Sequence, residues 1–138
     1  MRKLGLDIGS KSCGIAISDP TNLIAQGLEN FFFPHQDWQT LLNKISSLLS
    51  KYEIDTIIIG YPTYPSGDKT PTAKMIDQFV DILKTKINLP IVFINENNTT
   101  KHAQKILHQG GLNTKRQKAY KDQVAAQMIL SDYLMTLG

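Results

Sequence analysis

The sequence predicts an α/β domain: a mixed five-stranded sheet, made of a three-strand antiparallel meander plus two parallel strands, flanked by helices. Three observations point there. Short apolar runs separated by polar turns fill the first third of the chain, and the spacing of apolar residues changes after Pro34. Two later runs, 55–60 and 90–94, are apolar almost throughout. Alternation marks a half-buried strand, spacing of three and four marks a helix, and an unbroken apolar run marks a strand covered on both faces.

The first strand is expected over 3–8, where Leu4, Leu6 and Ile8 alternate with Lys3, Gly5 and Asp7. The second is expected over 13–18 and the third over 23–33, ending in Phe31-Phe32-Phe33 before Pro34. Their connections, Ser10-Lys11-Ser12 and Asp19-Pro20-Thr21-Asn22, are turn formers, as an antiparallel meander requires. Trp38, Leu41, Leu42, Ile45, Leu48, Leu49 and Tyr52 then follow helical spacing. After strand 55–60 comes a loop over 61–69. Thr70-Pro71 opens a helix as a cap followed by proline, with Ile76, Phe79, Val80, Leu83 and Ile87 as its stripe. Strand 90–94 leads to a helix over 99–109 stopped by Gly110-Gly111, a basic loop over 112–118, and a closing helix over 120–137. Strands that alternate with helices imply parallel pairing through crossovers. No repeat or linker divides the chain, so one domain over 1–138 is expected.

Hydrophobic residues make up 41% and charged residues 20% of the 138, the balance of a globular rather than a disordered chain. The net charge of +3 is compatible with a polyanionic partner. Cys13 is the only cysteine, which excludes an intrachain disulfide and suits a reducing compartment. Met1-Arg2-Lys3 runs straight into the first strand, and no apolar run approaches the ~20 residues of a membrane helix. A cytoplasmic protein without membrane contact is expected.

Three acids stand at ends of elements rather than on solvated faces. Asp7 lies within the first strand, Glu96 just beyond Ile91-Val92-Phe93-Ile94, and Asp122 early in the closing helix, on the side shared with Ala125, Ala126, Ile129 and Tyr133. In a parallel or mixed sheet the carboxyl ends of the strands form the usual ligand crevice. Three carboxylates meeting there would repel one another unless protonated or neutralised by a divalent cation. Oxygen-only donors favour Mg2+ or Mn2+, and two such ions about 3.5–4 Å apart can drive in-line phosphodiester hydrolysis. Each acid also has a plain reading: Asp7 as a strand-to-turn device, Glu96 as a loop acid, Asp122 as a first-turn acid favoured by the helix dipole.

Gly5-Leu6-Asp7-Ile8-Gly9-Ser10-Lys11 followed by Gly14-Ile15-Ala16-Ile17-Ser18-Asp19 resembles the opening signature of the YqgF family, also called RuvX or Holliday-junction-resolvase-like proteins. Gly60-Tyr61-Pro62 with Ser66-Gly67 resembles its second block. Asn95-Glu96-Asn97-Asn98-Thr99-Thr100 with Ala103 resembles its Asp-Glu-Arg-x-Thr-Thr block, and Asp122-x-x-Ala125-Ala126 with Ile129-Leu130 and Tyr133-Leu134 its closing motif. The four blocks keep the family's order and spacing. The resemblance implies a ribonuclease H-like fold and a metal-dependent nuclease with Asp7, Glu96 and Asp122 as its acidic triad. It also implies a role in maturing the 5′ end of pre-16S ribosomal RNA, within a ribosomal precursor particle, or in resolving four-way DNA junctions. This chain departs from the pattern at Asn95 and Asn97, where the family carries Asp and Arg, and at Ser12, where it carries Arg.

Lys115, Arg116, Lys118 and Lys121 precede or adjoin Asp122 and are candidates for gripping a phosphate backbone, as are Lys11 and Lys101. A solvated basic loop is the plain alternative. Asp19 is expected to shape the turn before Pro20. Phe31 to Phe33 and Trp38 are expected in the core, Cys13 as a small buried hydrophobe, and the histidines as surface or packing residues. Structured RNA is thus the expected partner and branched DNA the alternative, with the protein as monomer or homodimer. Two other classes compete: a non-catalytic nucleic-acid-binding or ribosome-assembly module, favoured by Asn95 and Asn97, and a phosphate-binding ATPase or sugar kinase, because Leu6-Asp7-Ile8-Gly9 also resembles the first phosphate motif of the actin-like superfamily.

Overall fold

In a computed structural model, residues 1–95 and 114–137 are described, with backbone alone over 114–122. The elements are β1 (Arg2–Ile8), β2 (Ser12–Ser18), β3 (Ala25–Phe32), α1 (Trp38–Lys51), β4 (Ile54–Gly60), α2 (Pro71–Lys86), β5 (Ile91–Ile94) and α3 (Thr114–Met135). The helix expected over 99–109 lies outside the described residues.

The sheet has five strands in the order β3-β2-β1-β4-β5. β1 pairs antiparallel with β2 and β2 with β3, whereas β1–β4 and β4–β5 are parallel. This is the meander plus parallel pair expected from the sequence. β1 therefore sits at the centre, where the two pairing modes meet.

Each face has its own apolar layer. Leu4, Leu6, Ile8, Cys13, Ile15, Ile57 and Ile59 point toward α1 and α2, whose buried stripe includes Trp38, Leu41, Ile45, Ile76, Phe79 and Leu83. On the opposite face Ala16, Ala25 and Ile58 meet Ala126, Ile129, Leu130 and Leu134 of α3. Full burial of a side chain such as Ile129 or Phe79 is worth about 1.5–3 kcal/mol. Cys13 and Trp38 are buried as expected.

Capping fixes where α1 and α2 start. The Asp37 side chain accepts from the Thr40 N–H, and the Thr70 side chain accepts from the Ala73 N–H with Pro71 as the first helical residue.

Two expected boundaries are corrected. β3 begins at Ala25 rather than Leu23, because the N–H groups of Leu23 and Ile24 donate to Asp19 Oδ1 (2.8 and 2.7 Å) and are spent on the turn. The basic loop expected over 112–118 is helix from Thr114 onward. Lys, Arg, Gln and Ala are all good helix formers, and no glycine or proline interrupts them. A polar, basic composition reads as loop only when the turn residues are present too.

Candidate active site

β1 strand geometry sets Asp7. Leu6 and Ile8 turn toward α1 and α2, so Lys3, Gly5 and Asp7 turn toward α3. Asp7 is half-buried at the carboxyl end of the central strand. Its antiparallel neighbour is Gly14, itself paired with Asn30 of β3. On the other side the parallel register runs to Leu6↔Ile59, which sets Gly60 level with Asp7, and Gly60 pairs with Ile94. One row thus crosses the sheet at this rim: Asn30, Gly14, Asp7, Gly60, Ile94. The carboxylate is flanked on both sides by residues without side chains.

α3 approaches the sheet closely. A Cβ added at Gly5 would lie 2.8 Å from Leu130 Cβ and 3.1 Å from the Ala126 carbonyl oxygen. Gln123 lies over Gly27 of β3. The end of α3 near Leu134 and Met135 adjoins Asn22 and Leu23, at the opposite rim from Asp7. The helix accordingly runs antiparallel to β1. From the level where Ala126 meets Gly5, Asp122 is four helical residues back, about 6 Å. Asp7 is two strand residues on, about 6.6 Å in the same direction. The backbone positions of Asp7 and Asp122 therefore share one face and one rim of the sheet.

Glu96 lies outside the described residues, and β5, which leads to it, ends at Ile94 on that row. The side chain of Asp122 is also outside them. Among the described residues, no group of acidic, histidine or cysteine side chains gathers that could hold a metal ion; Asp7 is the member of the expected triad whose side chain is described. Lys11 is exposed in the β1–β2 turn at this rim. Lys115, Arg116, Lys118 and Lys121 occupy the first turns of α3, not a loop, while Lys101 lies outside the described residues. Basic residues at a helix N-terminus run against the dipole.

The rim carries a network that composition alone did not reveal. The Tyr61 hydroxyl donates to both oxygens of Asp77 (2.9 and 3.0 Å), and Lys69 Nζ donates to Asp77 Oδ2 (2.8 Å). Burial pushes the Tyr61 hydroxyl above its ordinary value and the Asp77 charge adds to this. Burial would also raise Asp77, but hydrogen bonds from Lys69 and Tyr61 outweigh it and hold the carboxyl below its usual range. The network ties both ends of the loop after β4 to α2. Asn95 Nδ2 reaches Thr63 Oγ1 at 3.4 Å, joining the same loop to the end of β5. The only signal for it was the Gly60-Tyr61-Pro62 block itself.

A turn role is borne out for Asp19. Its carboxylate accepts from the Thr21 hydroxyl and from the N–H groups of Thr21, Leu23 and Ile24, which bring it down to about 2. His35 is exposed; His102 and His108 lie outside the described residues. The core expectation is corrected at Phe32: Phe33 is buried and Phe31 packs beside it, but Phe32 is 67% exposed because alternation turns it to the other face.

The family model for RuvX, described as a Holliday junction resolvase, matches residues 1–136. This chain belongs to the RuvX family. A relative in Mycoplasmopsis synoviae (strain 53), named "Putative pre-16S rRNA nuclease", is 42% identical over 134 residues, 97% of each chain. A relative of the same name in Dictyoglomus turgidum is 36% identical over 138 residues, covering 100% of this chain and 96% of that one. Among solved structures, RuvC of T. thermophilus in complex with a Holliday junction substrate superposes with a TM-score of 0.64 at 14% identity, covering 99% of this chain and 96% of that one. The Fowlpox virus resolvase bound to junction DNA gives 0.59 at 18% identity, covering 99% of both. These likenesses establish the ribonuclease H-like fold. The RuvX chain is a nuclease, a hydrolase of that fold. No helix among its described residues is long and apolar enough to cross a membrane.

Proposed function

We propose that this RuvX protein is a divalent-metal-dependent nuclease of structured RNA, a single domain over 1–138 that matures the 5′ end of pre-16S ribosomal RNA in the cytoplasm. The carrying observation is Asp7: a carboxylate on the central strand, flanked by Gly14 and Gly60, at the rim to which α3 brings the backbone of Asp122. The substrate follows the names borne by relatives at 36–42% identity over nearly the whole chain.

The donor set fits Mg2+ or Mn2+. Carboxylate oxygens suit a hard cation, and the row beside Asp7 carries no competing side chain at Gly14 or Gly60. Asp7, Glu96 and Asp122 are the residues that would hold the ion. Bound there, it would supply Lewis acidity to a phosphoryl oxygen and acidify a water. Asp7, on a strand paired on both sides, gives a fixed point of attachment. Lys11, Lys101, Lys115, Arg116, Lys118 and Lys121 would hold the sugar-phosphate chain without reading its sequence, so binding weakens as salt rises.

Incubation of the protein with a pre-16S leader RNA and Mg2+ or Mn2+ tests this. The unmutated protein should trim the leader, and Asp7→Asn should lower the rate by orders of magnitude without changing the melting temperature by more than a few degrees. Equal cutting by Asp7→Asn refutes the assignment. Faster cutting of a four-way DNA junction than of the leader transfers the reading to junction resolution. RNA binding without any divalent-dependent cleavage transfers it to a binding module.

A further inference from the structure

Alternation along β3 splits its aromatic run. Phe31 and Phe33 turn toward α1 and α2, where their rings lie 6.2 Å apart and Phe33 continues to Trp38 at 6.0 Å. Phe32 therefore turns to the face that carries Asp7, and 67% of it is open to water. Its backbone is well held. Phe32 pairs with Ser12, and the next N–H, of Phe33, donates to the Lys11 carbonyl at 2.9 Å. The exposed Lys11 side chain thus belongs to the turn beside the ring.

A lone exposed hydrophobe is ordinary on a protein surface. The position of Phe32 is what gives it meaning. Asp7, Gly14 and Asn30 form a cross-strand row, and Phe32 lies two residues beyond Asn30 toward the same rim. Two strand spacings across and two residues along place its Cα about 12 Å from that of Asp7. Stacked nucleotides rise about 3.4 Å each, so this distance spans about three to four of them. A flat apolar ring on a rigid strand, beside a lysine, is the arrangement on which an unpaired base stacks while its phosphate meets the cation.

We propose that Phe32 is a base-stacking platform for a single-stranded segment of the substrate, three to four nucleotides from the phosphate at Asp7. This deepens the nuclease reading and rests on it. The ligand class is an unpaired nucleobase of any sequence, because every base offers a π-face.

The probe is an RNA stem-loop with a 5′ single-stranded extension, compared with the same stem blunt-ended, both measured by fluorescence anisotropy in the Asp7→Asn protein. Adding Phe32→Ala should weaken binding of the extended RNA about tenfold, at least about fivefold, and leave the blunt stem unchanged. Phe32→Trp should bind the extended RNA at least as well as Phe32. An abasic site moved along the extension should cost the Phe32 protein affinity at one position, three to four nucleotides from the cleaved bond, and cost the Phe32→Ala protein nothing there. Equal binding of the extended RNA with and without the ring overturns the proposal, as does an equal loss on both RNAs. Dissociation of a dimer by Phe32→Ala with RNA affinity intact also overturns it, reassigning the ring to a contact between copies. Full-rate cleavage by Asp7→Asn would instead refute the nuclease site, a result separate from these binding measurements.

Discussion

Gly5→Ala tests how the fold seats its closing helix. A methyl at position 5 would sit 2.8 Å from Leu130 Cβ and 3.1 Å from the Ala126 carbonyl oxygen. Carbon atoms pack best at about 3.5–4.0 Å. Neither obstacle is the end of a flexible side chain, so α3 must withdraw by roughly an ångström. Overpacking of this kind costs about 1–3 kcal/mol. For 138 residues at about 2.1 cal/mol/K each, the unfolding entropy is about 0.3 kcal/mol/K, so the melting temperature should fall by about 3–10 °C. The helix that withdraws also carries Asp122. If Asp7 and Asp122 work together, a displacement of that size costs about a hundredfold in rate. Gly27→Ala is the control. The three atoms nearest its added methyl all belong to the Gln123 side chain, with Nε2 at 2.9 Å and Cγ at 3.0 Å. That side chain can rotate away, so stability should change by less than about 0.5 kcal/mol. Calorimetry and RNA cleavage on the two variants decide the matter. Equal melting temperatures for Gly5→Ala and Gly27→Ala would refute close seating, and a destabilised but fully active Gly5→Ala would refute the dependence of the site on α3.

Three further outcomes follow from the charges. Asp19, lowered to about 2 by the Thr21 hydroxyl and backbone N–H groups, and Asp55 and Asp77, lowered because their Lys3 and Lys69 bonds outweigh burial, all take up protons more readily when unfolded. Their stabilisation is complete above the ordinary carboxyl values near 4 and is lost as pH falls toward 2; melting curves of Asp19→Asn should show a flatter acid limb, and parallel curves would refute this. Tyr61→Phe should cost about 1 kcal/mol through loss of the hydroxyl donated to Asp77, more than Lys69→Met, whose exposed ion pair is worth about 0–1 kcal/mol; urea titration giving the reverse order would refute the ranking. Asn95→Asp adds a negative charge on a residue whose Cα lies about 10 Å from that of Asp7 across two strand spacings, and should tighten Mn2+ binding by up to about twofold at low salt, with no effect at high salt; calorimetry showing no change would remove Asn95 from the ion's field.

Most of the sheet was legible because its signals are local. Alternation marked β1 and β2, unbroken apolar runs marked β4 and β5, and Thr70-Pro71 marked the start of α2 to the residue. Boundaries failed where a local feature competed with composition. Leu23 and Ile24 look like strand but their N–H groups serve Asp19, and Thr114 to Lys118 look like loop but carry good helix formers without a breaker. Phe32 reads as core with its neighbours because three consecutive aromatics hide the period-two alternation that separates them.

The site was legible in a different measure. Asp7 could be singled out from one strand, since a charged residue among Leu4, Leu6 and Ile8 must face something other than the core. What surrounds it could not, because cross-strand neighbours are set by register, and register is a property of pairs of strands. The Gly9 N–H, donating to the Ser12 carbonyl at 2.8 Å, closes the β1–β2 turn at a fixed length and thereby puts Gly14 opposite Asp7. The long crossover through α1 delivers Gly60 to the other side. Two glycines far apart in sequence thus flank one carboxylate. The pairing of strands, and not the acid alone, therefore decides that no side chain stands on either side of the carboxylate in its row.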